Sequence, residues 1–182
     1  MNKRKNLYRL SDMKNLILSV LACFAITATV AAQTDTISLT KVGDKAPAFS
    51  CTTIDGKSFD LSKLKGKIVM INFFATWCGP CQAELPVLQK NIWDKYRNNP
   101  SFQLLILGRE HSEKEVAEFV KAKNFSMPFA ADPGREIYKL YATQFIPRNV
   151  IIGKDGRILF QGMGYTEAEF KKIEELLAKE LK

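Results

Sequence analysis

Residues 68–74, Ile-Val-Met-Ile-Asn-Phe-Phe, are apolar at every position but one. A run so short and so continuous predicts a strand buried on both faces of a sheet. Residues 102–107 repeat the pattern and predict a second buried strand. Between the two, from Cys78 and Cys81 to about Arg97, Leu85, Leu88, Ile92 and Trp93 or Tyr96 recur at helical spacing. Pro86 lies inside that helix and predicts a kink, because its ring removes a backbone hydrogen bond.

Further along, Ser112-Glu113-Lys114-Glu115 is a capping box that opens a helix through Val116, Phe119 and Val120, ending near Asn124. Residues 127–130 predict a short strand, and Asp132-Pro133-Gly134 turns the chain into a helix bearing Ile137, Leu140 and Tyr141. Residues 150–152 and 157–161 predict strands joined by a hairpin at Gly153-Lys154-Asp155-Gly156. A second capping box, Thr166 to Glu169, starts a last amphipathic helix through Phe170, Ile173, Leu176 and Leu177. Upstream, Pro47 forbids helix and makes residues 44–49 an extended approach. Asp55-Gly56 then turns a hairpin of residues 49–53 and 57–59, followed by a short turn or helix at 60–64 that Gly66 breaks. Strands alternating with helices, closed by a hairpin and a helix, predict an α/β sandwich with a mixed central β-sheet and helices on both faces.

The first 32 residues change the picture. Lys3, Arg4, Lys5, Arg9 and Lys14 precede an uncharged run over 16–34 that ends in small residues, the order of a secretory signal peptide. The expected organisation is a signal peptide over 1–32 cleaved between Ala32 and Gln33, a linker over 33–40 and one domain over 41–182. An uncleaved membrane anchor is the other reading of the run, which is just long enough to span a bilayer. Val20-Leu21-Ala22-Cys23 faintly resembles a lipoprotein processing site, but Phe24-Ala25-Ile26 continues the apolar run, and Cys23 is read as a small apolar filler. The N-terminal segment also carries half of the net charge of +8. The rest is only modestly basic, with no basic stripe interleaved with aromatics, and nucleic-acid binding is not expected. The composition, 46% hydrophobic and 25% charged, is that of an ordinary globular protein.

The chemistry concentrates at Thr76-Trp77-Cys78-Gly79-Pro80-Cys81, where strand gives way to helix. Two thiols one helical turn apart can close into a disulfide. A thiol at a helix N-terminus is favoured as thiolate by the dipole and the unpaired backbone N–H groups. Cys78 is therefore the expected nucleophile, left exposed at the helix start, with Cys81 behind it as the resolving thiol. Gly79 permits the tight turn, and Pro80 brings a preset φ where a missing N–H matters little. Half of a zinc site would need two more ligands, for which only Cys51, the distant His111 and carboxylates remain, and a structural disulfide would gain little from so short a loop. Both stand as alternatives to a redox-active dithiol.

The segment from Lys67 to Ala75 followed by Trp77-Cys78-Gly79-Pro80-Cys81 resembles the active-site region of thioredoxins. Its flanks, Leu64 to Lys67 and Cys81 to Pro86, are similar to the extracytoplasmic TlpA/ResA-type thiol-disulfide oxidoreductases, a resemblance that covers residues 41–182. It implies a thioredoxin-like fold with an N-terminal β-hairpin and a helix-strand central insertion around residues 112–130. It also implies a cis bond before Pro147, which exposes the backbone of Ile146 for strand-like pairing with a substrate. Trp77, Gly79 and Pro80 would frame the same surface. Arg148-Asn149 depart from the Thr that many relatives carry after this proline.

Cytosolic thioredoxins carry an acid where this chain has Asn72, which cannot titrate. The resemblance and the spacing from Cys81 make Glu84 the expected acid/base group, against a solvated carboxylate on the helix surface. Trp77 is expected as an exposed flank rather than a residue packed on the sheet rim. His111 is expected as part of a polar loop, and Cys51 as a small buried residue. Neither a cofactor nor a metal is expected.

The resemblance implies an exported enzyme that reduces protein disulfides, apocytochrome c or misoxidised exported proteins among them. It would be recharged by a membrane thiol relay. A peroxiredoxin-like peroxide reductase and a non-catalytic binding module or holdase are the alternatives, and a monomer is expected.

Overall fold

The computed structural model describes residues 37–182, which belong to one compact unit. The expected signal segment with Cys23, and the first part of the expected linker, lie outside the described residues.

Five strands form the central sheet: β3 (Ile68–Phe74), β4 (Phe102–Arg109), β5 (Phe129–Asp132), β6 (Arg148–Ile152) and β7 (Ile158–Met163). Their order is β5-β4-β3-β6-β7, with β3, β4 and β5 mutually parallel, β6 antiparallel to β3 and β7 antiparallel to β6. The all-apolar run of β3 is buried at every position because it is the middle strand with a layer on each side. Ahead of the sheet, β1 (Ser50–Thr52) and β2 (Ser58–Asp60) form the expected hairpin. The hairpin is tied to β5 by a Thr53–Ala130 bridge and by the Ile54 N–H donating to the Phe129 carbonyl at 2.8 Å.

Alternation along β3 divides the core. Ile68, Met70 and Phe74 face one layer, containing Leu85, Leu88, Val116, Phe170 and Ile173. These come from α1 (Gly79–Leu88), α2 (Glu113–Lys123) and α3 (Glu167–Glu180). Val69, Ile71 and Phe73 face the other layer, where Phe59 comes from the hairpin, Leu61 and Tyr138 from two short 3₁₀ helices, Leu61–Lys63 and Tyr138–Leu140, and Tyr141 from the end of the second. This is the mixed sheet with helices on both faces that the pattern predicts.

Three local expectations change. The segment at 137–141 is one 3₁₀ turn, not a helix: Asp132 caps it by accepting from the Ile137 and Tyr138 N–H groups, and the chain reaches a left-handed Phe145 a few residues later. The helix after the cysteines widens into a π-turn at Gln89–Trp93, following Pro86, before one last turn at Asp94–Tyr96. The box at Ser112 is complete. At Thr166 only the hydroxyl half forms, and Glu169 Oε1 pairs with Lys172.

Candidate active site

β3 ends at Phe74 and the chain crosses three residues to Cys78, the N-cap of α1, whose Sγ accepts from the Cys81 N–H at 3.2 Å. Gly79 and Pro80 occupy the first helical positions, where Pro80 lacks an N–H that would have no intrahelical partner. Cys78 and Cys81 are joined as a disulfide, S–S 2.08 Å. Cys78 is less exposed than its position at the helix start predicts: it keeps 6% of its surface and Cys81 none. The Ile146 carbonyl oxygen lies 3.8 Å from Cys78 Sγ and covers part of it. The Ile146–Pro147 bond is cis, Ile146 is half-buried and Pro147 buried. Trp77 is 63% exposed and Phe145 53%, so two large apolar side chains flank the disulfide. Arg109 lies over the Trp77 ring, 5.9 Å from its centroid, and Tyr138 donates its hydroxyl to the Phe145 carbonyl at 2.7 Å.

Beneath the disulfide, Glu84 is 1% exposed, one turn after Cys81 on α1. It is a buried group, not the solvated carboxylate its helix position alone allows. Asn72 donates from Nδ2 to Glu84 Oε2 at 2.9 Å, and Asn149 donates from Nδ2 to Oε1 at 2.5 Å. The two asparagines are direct register partners on β3 and β6, and Asn72 Nδ2 also donates to Asn149 Oδ1 at 2.8 Å. Burial pushes the Glu84 carboxyl up to about 7, while the amide donors, Asn149 first and then Asn72, pull it part of the way back. A cleft of about 20 Å³ between β7 and the start of α3, lined by Gly162, Tyr165 and Thr166, reaches Glu84 and has room for one water. A carboxyl poised near neutrality beside a dithiol can take and return a proton during thiol exchange.

Asn149 was visible in the sequence only as a departure after Pro147; its link to Glu84 depends on strand register. His111 lies in the loop between β4 and α2, where its side chain is buried and accepts from the Thr76 N–H. Cys51 is half-buried on β1 and unpaired, its thiol pushed up to about 11 by burial and by the nearby Asp132 carboxylate. The described residues contain no group of three or more His, Cys, Asp or Glu side chains able to hold a metal ion. A groove of about 210 Å³ lined by Lys45, Leu61, Val69 and Ile152 opens at the opposite end of the sheet.

The disulfide thus sits at a strand-to-helix junction, opposite a cis-proline loop. The sequence model of the redoxin family matches residues 41–177. The chain belongs to the redoxin family. The thiol-disulfide oxidoreductase ResA of Bacillus thuringiensis subsp. konkukian is 34% identical over 139 residues, covering 76% of this chain and 78% of the relative. A solution structure from Bacteroides thetaiotaomicron, described provisionally as a protein disulfide isomerase, matches with a TM-score of 0.77 at 36% identity, covering 80% of this chain and 93% of that one. The crystal structure of StoA from Bacillus subtilis matches with a TM-score of 0.61 at 26% identity, over 71% and 97% of the two chains. This redoxin-family chain is a ResA-like thiol-disulfide oxidoreductase of the thioredoxin superfamily, with a thioredoxin-like fold.

Proposed function

We propose that this protein is exported and reduces disulfide bonds of proteins outside the cytoplasm. The Cys78 thiolate attacks a client disulfide, forming a mixed disulfide and expelling one client thiolate. Cys81 then attacks the Cys78 sulfur, releasing the second client thiolate and closing the Cys78–Cys81 bond. Two electrons pass to the client, and a membrane thiol relay that is itself oxidised returns them. Glu84 takes the Cys81 proton as that sulfur attacks. Ile146 presents its backbone to the client chain, and Trp77, Gly79, Pro80 and Pro147 frame the contact.

The observation that carries this reading is the dithiol at the start of α1 with a buried, near-neutral carboxyl one turn below it. The basic, apolar, small-residue order of residues 1–32 supports export, with removal after Ala32, a linker over 33–40 and the thioredoxin-like domain over 41–182. An exported protein of intact mass starting at Gln33 supports cleavage; one that retains Met1, or carries lipid on Cys23, overturns it. Apocytochrome c and misoxidised exported proteins are the client classes.

Client capture tests the activity. Cys81→Ser, expressed in its native compartment, is expected to accumulate reductant-sensitive adducts joined through Cys78. The Cys78→Ser/Cys81→Ser protein should accumulate none. Adducts that persist in the double variant, or no adducts in Cys81→Ser, overturn the proposal.

A further inference from the structure

The three residues between β3 and Cys78 lie outside the sheet ladder, yet the Thr76 peptide is held on both sides. Its carbonyl accepts from Gln82 Nε2 at 2.6 Å, and its N–H donates to His111 Nε2 at 2.9 Å. We infer that His111 is a positioning residue for the attacking thiol: it fixes the loop that presents Cys78 by accepting the Thr76 amide. The inference rests on Cys78 being the nucleophile.

A backbone N–H can only donate, so the Nε2 facing it must carry a lone pair. The imidazole is therefore the neutral tautomer with its proton on Nδ1. Nδ1 points toward Glu115, whose Oε2 is 3.8 Å away, beyond a hydrogen bond but close enough for attraction. That oxygen also accepts from the Ser112 N–H and hydroxyl in the capping box of α2. The ring is 5% exposed and lies beside Phe74 at the end of β3, centroids 6.4 Å apart. Gly108 keeps the space: a Cβ there would lie 2.6 Å from Val116 Cγ2 and 3.5 Å from His111 Cβ.

The consequence runs through the N-cap. Cys78 receives the Cys81 N–H, and faces the N-terminus of α1, only if the loop places its sulfur there. Thr76 lies two residues upstream, and the capped start of α2 supplies the anchor. The start of α2 thereby supports the dithiol through the Thr76 amide.

Alkylation of the fully reduced protein at neutral pH, followed by mapping of the modified cysteine, tests the inference. His111→Leu is expected to slow modification of Cys78 roughly fivefold, the reach of one net hydrogen bond. His111→Gln, whose amide oxygen can stand in for Nε2, is expected to recover most of the wild-type rate. Equal slowing in both variants, or wild-type rates in His111→Leu, overturns the inference. A measurement on the unmutated protein does not depend on variant folding: ¹⁵N-resolved NMR of the imidazole is expected to find Nδ1 protonated and Nε2 bare. The opposite tautomer overturns the inference. Modification at Cys81 in place of Cys78 in the wild type would instead overturn the assignment of the nucleophile, an outcome the NMR result does not depend on.

Discussion

Glu84, Asn72 and Asn149 form a buried unit in which two amides each commit one N–H to a different carboxylate oxygen. Donors aimed at both oxygens stabilise the charged form, whereas burial favours the neutral one, and the balance leaves the carboxyl near 7. Asn149→Ala removes the larger of the two amide contributions. The pH midpoint of thiol exchange is then expected to rise by about one unit, the size of a hydrogen bond to a charged group. An unchanged midpoint would show that Glu84 does not govern the reaction. In Glu84→Gln the near-neutral limb should vanish from the profile, and its survival would assign that limb to another group. Of this unit, Glu84 was legible through its spacing from Cys81 and through the resemblance. Asn149 was not, because nothing local couples residues 65 positions apart.

At the scale of elements, segments with strong local signals formed where the pattern put them. The Ser112 box, the Asp55-Gly56 turn and the left-handed Asn124 that ends α2 are all decided within a few residues. The 137–141 segment shows the limit: apolar spacing favoured a helix, but the Asp132 cap and the return to the cis-proline loop leave one turn. At Gly108 of β4, α2 packs so closely that a side chain has no space. Gly108→Ala would drive a methyl to 2.6 Å from Val116, which is fully buried and has no room to retreat. Urea unfolding is expected to find the variant less stable by about 1–3 kcal/mol. A wild-type midpoint would mean that α2 shifts freely against the sheet.

For the whole molecule, the raised Glu84 pKa is a statement about stability. In the unfolded chain this carboxyl ionises near its ordinary 4.5, and in the folded protein near 7. The folded state therefore holds the proton over that window while the unfolded state has lost it, so stability falls as pH rises from about 4.5 to 7. The fall amounts to about 3 kcal/mol for a group this buried. Denaturation of the oxidised protein across pH, compared with Glu84→Gln, should isolate that loss as the difference between the two curves. Parallel curves would place the group's folded pKa at its ordinary value.

The amino-acid sequence alone determined most of the elements and the placement of Cys78 and Cys81 one helical turn apart. Hydrophobic runs, turn residues and caps act over a few positions, and the cysteine spacing fits one helical turn whatever surrounds it. The tertiary structure alone decided which polar groups meet: Asn72 opposite Asn149 through the β3–β6 register, both beneath Glu84, and the imidazole of His111 against the Thr76 amide. Those contacts bring together strands, helices and loops far apart in the chain, and their energies depend on exclusion from water. Exclusion from water is a property of the packed sheet and its two layers, and no single segment carries it.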